Sequence, residues 1–341
     1  MRRPLQSERA GASAERRRRP VAAFLSWSED DGRTHEIAAA LGGEARSFYD
    51  LGIHTKPLVP VRYALSSLRT VAYLVSRRPR SVIVTNPPIF PPLIALAYAK
   101  VAGVPLVLDS HPSCFDPSES RVHRITALHA WVARRAVTTL VTVDELAELV
   151  RSWGARADIA HEAPPVWTVR PSSPLNGRMR VLYVGRFAGD EPTEEVLEAA
   201  RFVPEFDVHV TGDPRKCAPE LRRAAPDNVT FTGFLRGDDY PRAIEESDAL
   251  LVLTNRHDAV NRSAYEAVYA RRPLVVSGTP PMRRLFPFAV HVENDARGIA
   301  AGLRTAAARH AELLAAAGDA LALQEERWQS QLDVLRERIG C

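Results

Sequence analysis

The sequence is poor in cysteine and lysine and has no long apolar run. Cys114, Cys217 and Cys341 are its three cysteines, and their separations fit neither a disulfide framework nor a metal-ligand cluster. No stretch reaches the 18 or so apolar residues of a membrane span. The run "PVAAFLSW" is too short for a signal-peptide core and soon meets "SEDD". Also absent are G-x-x-x-x-G-K-[ST], G-x-G-x-x-G after the first strand, H-E-x-x-H and G-x-S-x-G, the motifs of P-loop, dinucleotide, zincin and serine-hydrolase chemistry. A cytoplasmic protein without a metal or cofactor is expected.

The 341 residues are enough for about two domains, and 45% hydrophobic with 25% charged residues is globular composition. A formal charge of +4 suggests nucleic acid until it is located. Seven arginines against Glu8 and Glu15 give residues 1–19 a net +5, leaving the rest at −1. The folded body is therefore not basic, and nucleic acid is not an expected partner. Residues 1–19 read as a disordered basic tail. It is either a solvated extension or a peripheral contact with anionic lipid at the inner face of the cell membrane.

Short β-branched runs such as "SVIVT", "VPLVLDS" and "ALLVLT" alternate with helical runs of ten or more residues. That rhythm implies parallel sheets with crossover helices. The proline-rich run from Glu162 to Arg178 interrupts it. The expected fold is α/β, with two Rossmann-like halves facing across a cleft. Residues 20–162 form the first half, 163–178 a linker, 179–318 the second half, and 319–341 a last helix packing back on the first. Parallel α/β halves place ligands at the C-terminal ends of their strands.

The densest candidate is "HDAVNRSAYEAVYARRPLVVSGTP", His257 to Pro280. Ser263 is expected to cap a helix, leaving the amides of Ala264 and Tyr265 to meet an anion. Glu266, about one turn in, would then reach a ribose. By spacing alone, an acid that merely stabilises a helix dipole is the simpler reading. The D-x7-E spacing of Asp258 and Glu266, the following "ARRPLVVSGTP", and the preceding "VGRF" and "FTGFL" resemble the C-terminal domain of GT-B glycosyltransferases, of the family-4 type. The resemblance implies that Glu266 binds the ribose of a sugar nucleotide, that Asp258 stands in for a glutamate facing the donor sugar, and that Arg186 reaches the diphosphate. The family's following lysine is missing; Arg33, or Arg215 with Lys216, would have to replace it.

In the first half, "TNPP" and "DSHPSCF" end consecutive strands and are similar to the chitobiose mannosyltransferases. The resemblance implies His111 as the catalytic group, with Asp109 orienting it or binding an acceptor. An imidazole can hold an acceptor hydroxyl or take its proton. Gly32 and Arg33 open a helix able to face phosphate, and Asp30 and Asp31 are either acceptor contacts or solvated charges. The implied activity is transfer of a hexosyl group from a UDP- or GDP-linked donor to a hydroxyl of a glycan, lipid-linked or secondary-metabolite acceptor. A non-catalytic sugar-nucleotide-binding subunit and a UDP-sugar 2-epimerase are the alternatives.

Overall fold

In the computed structural model the described residues are 19–28, 32–49, 58–115, 123–172, 175 and 177–341. Residues 1–18 of the basic tail, with Asp30 and Asp31, lie outside them. The chain divides into two units, one of residues 1–163 with 329–341 and the other of residues 164–328.

The first unit is built on β1 (Ala23–Ser26), β2 (Glu44–Ser47), β3 (Val82–Asn86), β4 (Leu106–Ser110), β5 (Thr138–Val141) and β6 (Ala157–Ile159). They form one parallel sheet in the order β2-β1-β3-β4-β5-β6. Central strands β1, β4 and β5 are buried along their whole length, as sheets covered by helices on both faces require. Around the sheet lie α1 (Gly32–Ala40), α2 (Val59–Arg77), α3 (Phe90–Ala102), α4 (His123–Ala133) and α5 (Asp144–Ser152). Leu74, Ala95, Leu96 and Val132 close over Leu25, Val84 and Leu108 to make one core. The edge strands β2, "EARS", and β6, "ADI", are additions to the sequence reading. Neither carries an apolar run, because an edge strand needs backbone pairing more than burial.

The second unit repeats the plan with β7 (Arg180–Tyr183), β8 (Asp207–Thr211), β9 (Val229–Gly233), β10 (Ala249–Val252), β11 (Leu274–Ser277) and β12 (Val290–Val292). Their order is β12-β11-β10-β7-β8-β9, again all parallel. Helices α6 (Thr193–Phe202), α7 (Pro219–Arg223), α8 (Asp239–Glu245), α9 (Arg262–Tyr269), α10 (Pro280–Leu285) and α11 (Ala296–Ala308) connect them, and α12 (His310–Ile339) ends the chain. The sequence reading starts the last helix at Asp319. The break instead falls at Arg309. His310 is tied there to the carbonyl of Asp248 at 3.1 Å, so a tertiary anchor sets the boundary. Gly318 stays helical at a cost of about 1 kcal/mol.

Within the first unit the end of α12 is fastened by polar contacts. Arg338 forks onto Asp158 at 2.8 and 3.2 Å, and Arg336 donates to the carbonyl of Ala40. Leu332 and Leu335 are buried. In each sheet the chain reverses its direction of strand addition once, between β1 and β3 and between β7 and β10. The loops that leave such a switch point diverge to opposite faces and open a crevice for a ligand.

Candidate functional site

At the second unit's switch point, the loop after β7 meets the loop after β10. The amide of Asn255 donates to the carbonyl of Asp190 at 2.7 Å. Behind them, Ser277 receives the amide of Thr254 and donates to Asn294, which in turn donates to Thr254 and Asn255. This network locks the ends of β10, β11 and β12 together.

The β7 loop is tightly wound. Phe187 takes a left-handed backbone, φ 59°, which is costly for a bulky residue and typical of constrained loops. Gly212, φ 105°, lies so close that a Cβ there would stand 2.9 Å from the Gly185 carbonyl and 3.0 Å from the Phe187 ring. Inside the turn, the Glu191 carboxylate accepts the amides of Arg186 at 2.8 Å and Ala188 at 3.2 Å. Converging amides of this kind form an anion nest, here filled by the chain's own side chain. Glu191 is absent from the sequence reading, which notes only that the family's lysine after Arg186 is missing. Arg186 projects outward, its side chain 73% exposed and 3.9 Å from Glu191.

Glu266 lies on α9 and is buried. Tyr240, on α8, donates to its Oε2 at 2.6 Å, and Arg262, one turn earlier, donates to its Oε1 at 2.9 Å. Burial first, and the Glu266 charge next, hold the Tyr240 phenol well above its ordinary value, so it remains a donor. An ionised carboxylate has about four acceptor positions; two are filled, and both oxygens keep one for a ligand. Tyr240 and Arg262 therefore orient the group without exhausting it. Neither is anticipated from sequence.

Three expectations about this edge change. Asn261, not Ser263, is the residue before the helix, and its side chain donates to the carbonyl of Leu253. Ser263 is one position inside, and the Ala264 amide is taken by the Asn261 carbonyl at 3.0 Å. Asp258 is held by a two-pronged bond from Arg256, at 3.1 and 3.0 Å. Arg215 forks in the same way onto Asp213, which draws the Asp213 carboxyl down to about 2.

In the first unit, β4 carries Asp109 to the sheet's C-terminal edge, with His111 just beyond. Arg33 in the first turn of α1 grips Asp109 through Nε at 3.0 Å and a terminal nitrogen at 3.2 Å. Its remaining donors reach the carbonyls of Ala160 and His161 at 2.9 and 2.8 Å, and Glu162 at 3.1 Å. All five guanidinium N–H groups are thus engaged within this unit. Arg33 is a tie between three segments, and the substitute phosphate contact expected of it has no donor left to act with. Gly32 is simply the first residue of α1.

His111 is exposed, and Ser113 orients it: the Ser113 amide donates to Nδ1 at 3.3 Å, with its hydroxyl at 3.0 Å. An accepting Nδ1 puts the proton of the neutral ring on Nε2. In that tautomer the other ring nitrogen of His111 is a hydrogen-bond donor, which suits the holding of an acceptor hydroxyl, one of its two expected roles. Beneath it, the Ser110 hydroxyl meets His129 Nε2 at 2.9 Å. His129 packs on Phe115 and Trp153, and burial pulls its imidazole down to about 4. Among the described residues no three His, Cys, Asp or Glu side chains are grouped to hold a metal ion.

Residues 178–317 match the glycosyl transferases group 1 family. This group 1 segment contains the β7 loop, Asp258 and Glu266. Over the whole chain, the structure is similar to HepE of Anabaena solved with UDP-glucose, at 15% identity and TM-score 0.72, covering 93% of this chain and 99% of that one. It is also similar to sucrose-phosphate synthase from Thermosynechococcus elongatus, at 16% identity and TM-score 0.66, covering 92% and 99%. With two parallel six-stranded sheets, these likenesses establish a GT-B fold. Among curated proteins, the 2-deoxystreptamine glucosyltransferase of Streptomyces kanamyceticus is 30% identical over 212 residues, 53% of this chain and 54% of the relative. The alpha-D-kanosaminyltransferase of the same organism is 26% identical over 217 residues, 55% and 56% respectively. The chain spans about half the length of the curated relatives it matches.

Proposed function

We propose that the chain is a glycosyltransferase that moves a hexosyl group from a UDP- or GDP-linked donor to a hydroxyl of a glycan, lipid-linked or secondary-metabolite acceptor. The observation that carries this reading is Glu266: a buried carboxylate oriented by Tyr240 and Arg262, at a switch point, with one acceptor position left on each oxygen. That arrangement suits the two adjacent hydroxyls of a ribose. Arg186, exposed on the neighbouring loop, supplies a mobile cation for the diphosphate. The acceptor oxygen bonds to the anomeric carbon as the carbon–oxygen bond to the diphosphate breaks, and the nucleoside diphosphate leaves with that electron pair. Arg186 and backbone dipoles stabilise the charge that builds up on it. His111 donates through Nε2 to a sugar or acceptor oxygen, and so orients rather than deprotonates. Support comes from the group 1 match and from neighbours solved with UDP-glucose or UDP.

A second reading is favoured by Asp258, whose carboxylate is already held by Arg256, and by Glu191, whose negative charge fills the amide nest beside Arg186. Both suit a subunit that binds sugar nucleotide without turning it over. A panel of UDP- and GDP-sugars, followed by thermal shift and by release of nucleoside diphosphate with and without acceptor extracts, separates the two. Turnover supports the transferase and binding without turnover supports the subunit. No binding of any member would sink both.

A further inference from the structure

Helix α2 (Val59–Arg77) carries apolar side chains on both faces. Inward, Leu74 enters the core beside Ser66, which donates to the carbonyl of Phe48 at 2.7 Å, and Thr70, which receives the indole of Trp27 at 3.0 Å. Tyr73 reaches Glu44 at 2.8 Å. Its outward face is apolar: Val61, Leu65, Leu68, Val71 and Val75 are exposed, Leu68 by 67% and Val75 by 57%. Those five recur at helical spacing and form one continuous stripe about 20 Å long at 1.5 Å rise per residue. Exposed apolar side chains scattered singly need no explanation, whereas a stripe of this kind marks a surface that is covered in use.

The charge around the stripe decides what covers it. From Leu51 to Leu108 the chain has seven Lys or Arg and not one Asp or Glu. Arg62 and Arg69 flank the stripe within α2, and Arg78 and Arg80 follow its end. A second copy of the helix laid against the first would bring Arg62 and Arg69 to arginine, while Glu44 is already paired with Arg77, contrary to how helix pairs select each other. An apolar stripe edged by cations fits an anionic lipid surface, with the valines and leucines in the acyl boundary and the arginines at the phosphates. No helix among the described residues is long and apolar enough to cross a membrane, so the contact is a helix lying on the surface. We infer that α2 is a docking face for anionic bilayers, independent of the sugar-nucleotide reading and of the basic tail.

The test is flotation of the full chain with phosphatidylcholine vesicles and with mixed phosphatidylcholine–phosphatidylglycerol vesicles. The chain should rise with the mixed vesicles only, and less so at high salt. In the double variant Leu68→Glu/Val75→Glu the partition coefficient should drop at least about tenfold, with the thermal midpoint unchanged because both positions face solvent. The tail variant Arg16→Gln/Arg17→Gln/Arg18→Gln should keep most of the binding. Equal binding to pure phosphatidylcholine would overturn the proposal, as would loss in the tail variant with retention in the helix variant. A dimer in solution that the helix variant dissolves would also overturn it, by assigning the stripe to a second copy.

Discussion

Replacing Glu266 with glutamine tests whether the carboxylate binds a ligand or merely completes the packing around it. In the folded chain Oε1 takes a bond from Arg262 at 2.9 Å and Oε2 one from Tyr240 at 2.6 Å. Two ribose hydroxyls at the remaining positions would each contribute about 1.5–3 kcal/mol, the range for bonds to a charged acceptor. Glutamine turns its oxygen toward Arg262 and its amide toward Tyr240. One hydroxyl bond then becomes neutral, worth about 1 kcal/mol, and the other loses its acceptor. The expected loss of ligand affinity is about 2–5 kcal/mol, or between roughly thirtyfold and several thousandfold in Kd. Calorimetric titration with UDP and with GDP measures it, and near-ultraviolet circular dichroism checks that the unit is folded. Tyr240→Phe removes only the orienting bond, so its Kd should shift less than that of Glu266→Gln. A Glu266→Gln protein that is folded and binds nucleoside diphosphate within about threefold of the wild type would refute the ribose assignment. So would a Tyr240→Phe protein that binds more weakly than Glu266→Gln, since the cluster would then be structural.

The other expectations concern single contacts. Arg186→Ala should weaken UDP binding by about tenfold, the size of one charged contact at an exposed site, while the thermal midpoint stays put; unchanged binding counts against its diphosphate role. His111→Gln should keep clearly more turnover than His111→Ala, because glutamine still donates a hydrogen bond, and equal loss in both would restore a proton-transfer role. Arg33→Met should destabilise the first unit by about 3–5 kcal/mol, as Asp109 and Glu162 are left as buried charges without their partner, with UDP affinity unchanged in calorimetry. Because burial lowers His129 from 6.5 to about 4, the unfolded state takes up its proton first on acidification. Its contribution is fully present above pH 6.5 and is lost as pH falls toward about 4, a change of roughly 3 kcal/mol. Urea midpoints across that range should fall, and His129→Asn should flatten the fall.

How far the sequence could be read depended on whether a feature is made by neighbours in the chain or by neighbours in space. Strands such as "LVLDS" and "LVVS" are buried end to end and announce themselves by β-branched residues, so both parallel sheets were legible. "EARS" and "ADI" pair only at an edge and carry no such mark. Glu266 stood out through its spacing from Asp258 and through resemblance, but its orientation depends on Tyr240, 26 residues earlier. Arg33 looked like a free cation at a helix start because Asp109 and Glu162, its partners, lie 76 and 129 residues away. The α2 stripe makes the same point in a sharper form. Periodicity declares that a helix has an apolar face, and the default inference turns that face inward. Here Trp27 and the Phe48 carbonyl offer polar partners on the inside, which Ser66 and Thr70 satisfy and leucine could not. An unsatisfied buried N–H or C=O costs about 1–3 kcal/mol, comparable to what burying one Leu or Val side chain contributes. Leu74 still enters the core, while Val61, Leu65, Leu68, Val71 and Val75 stay outside; exposed in the unfolded chain as well, they cost the fold nothing, and they leave an apolar stripe on which the inferred bilayer contact rests.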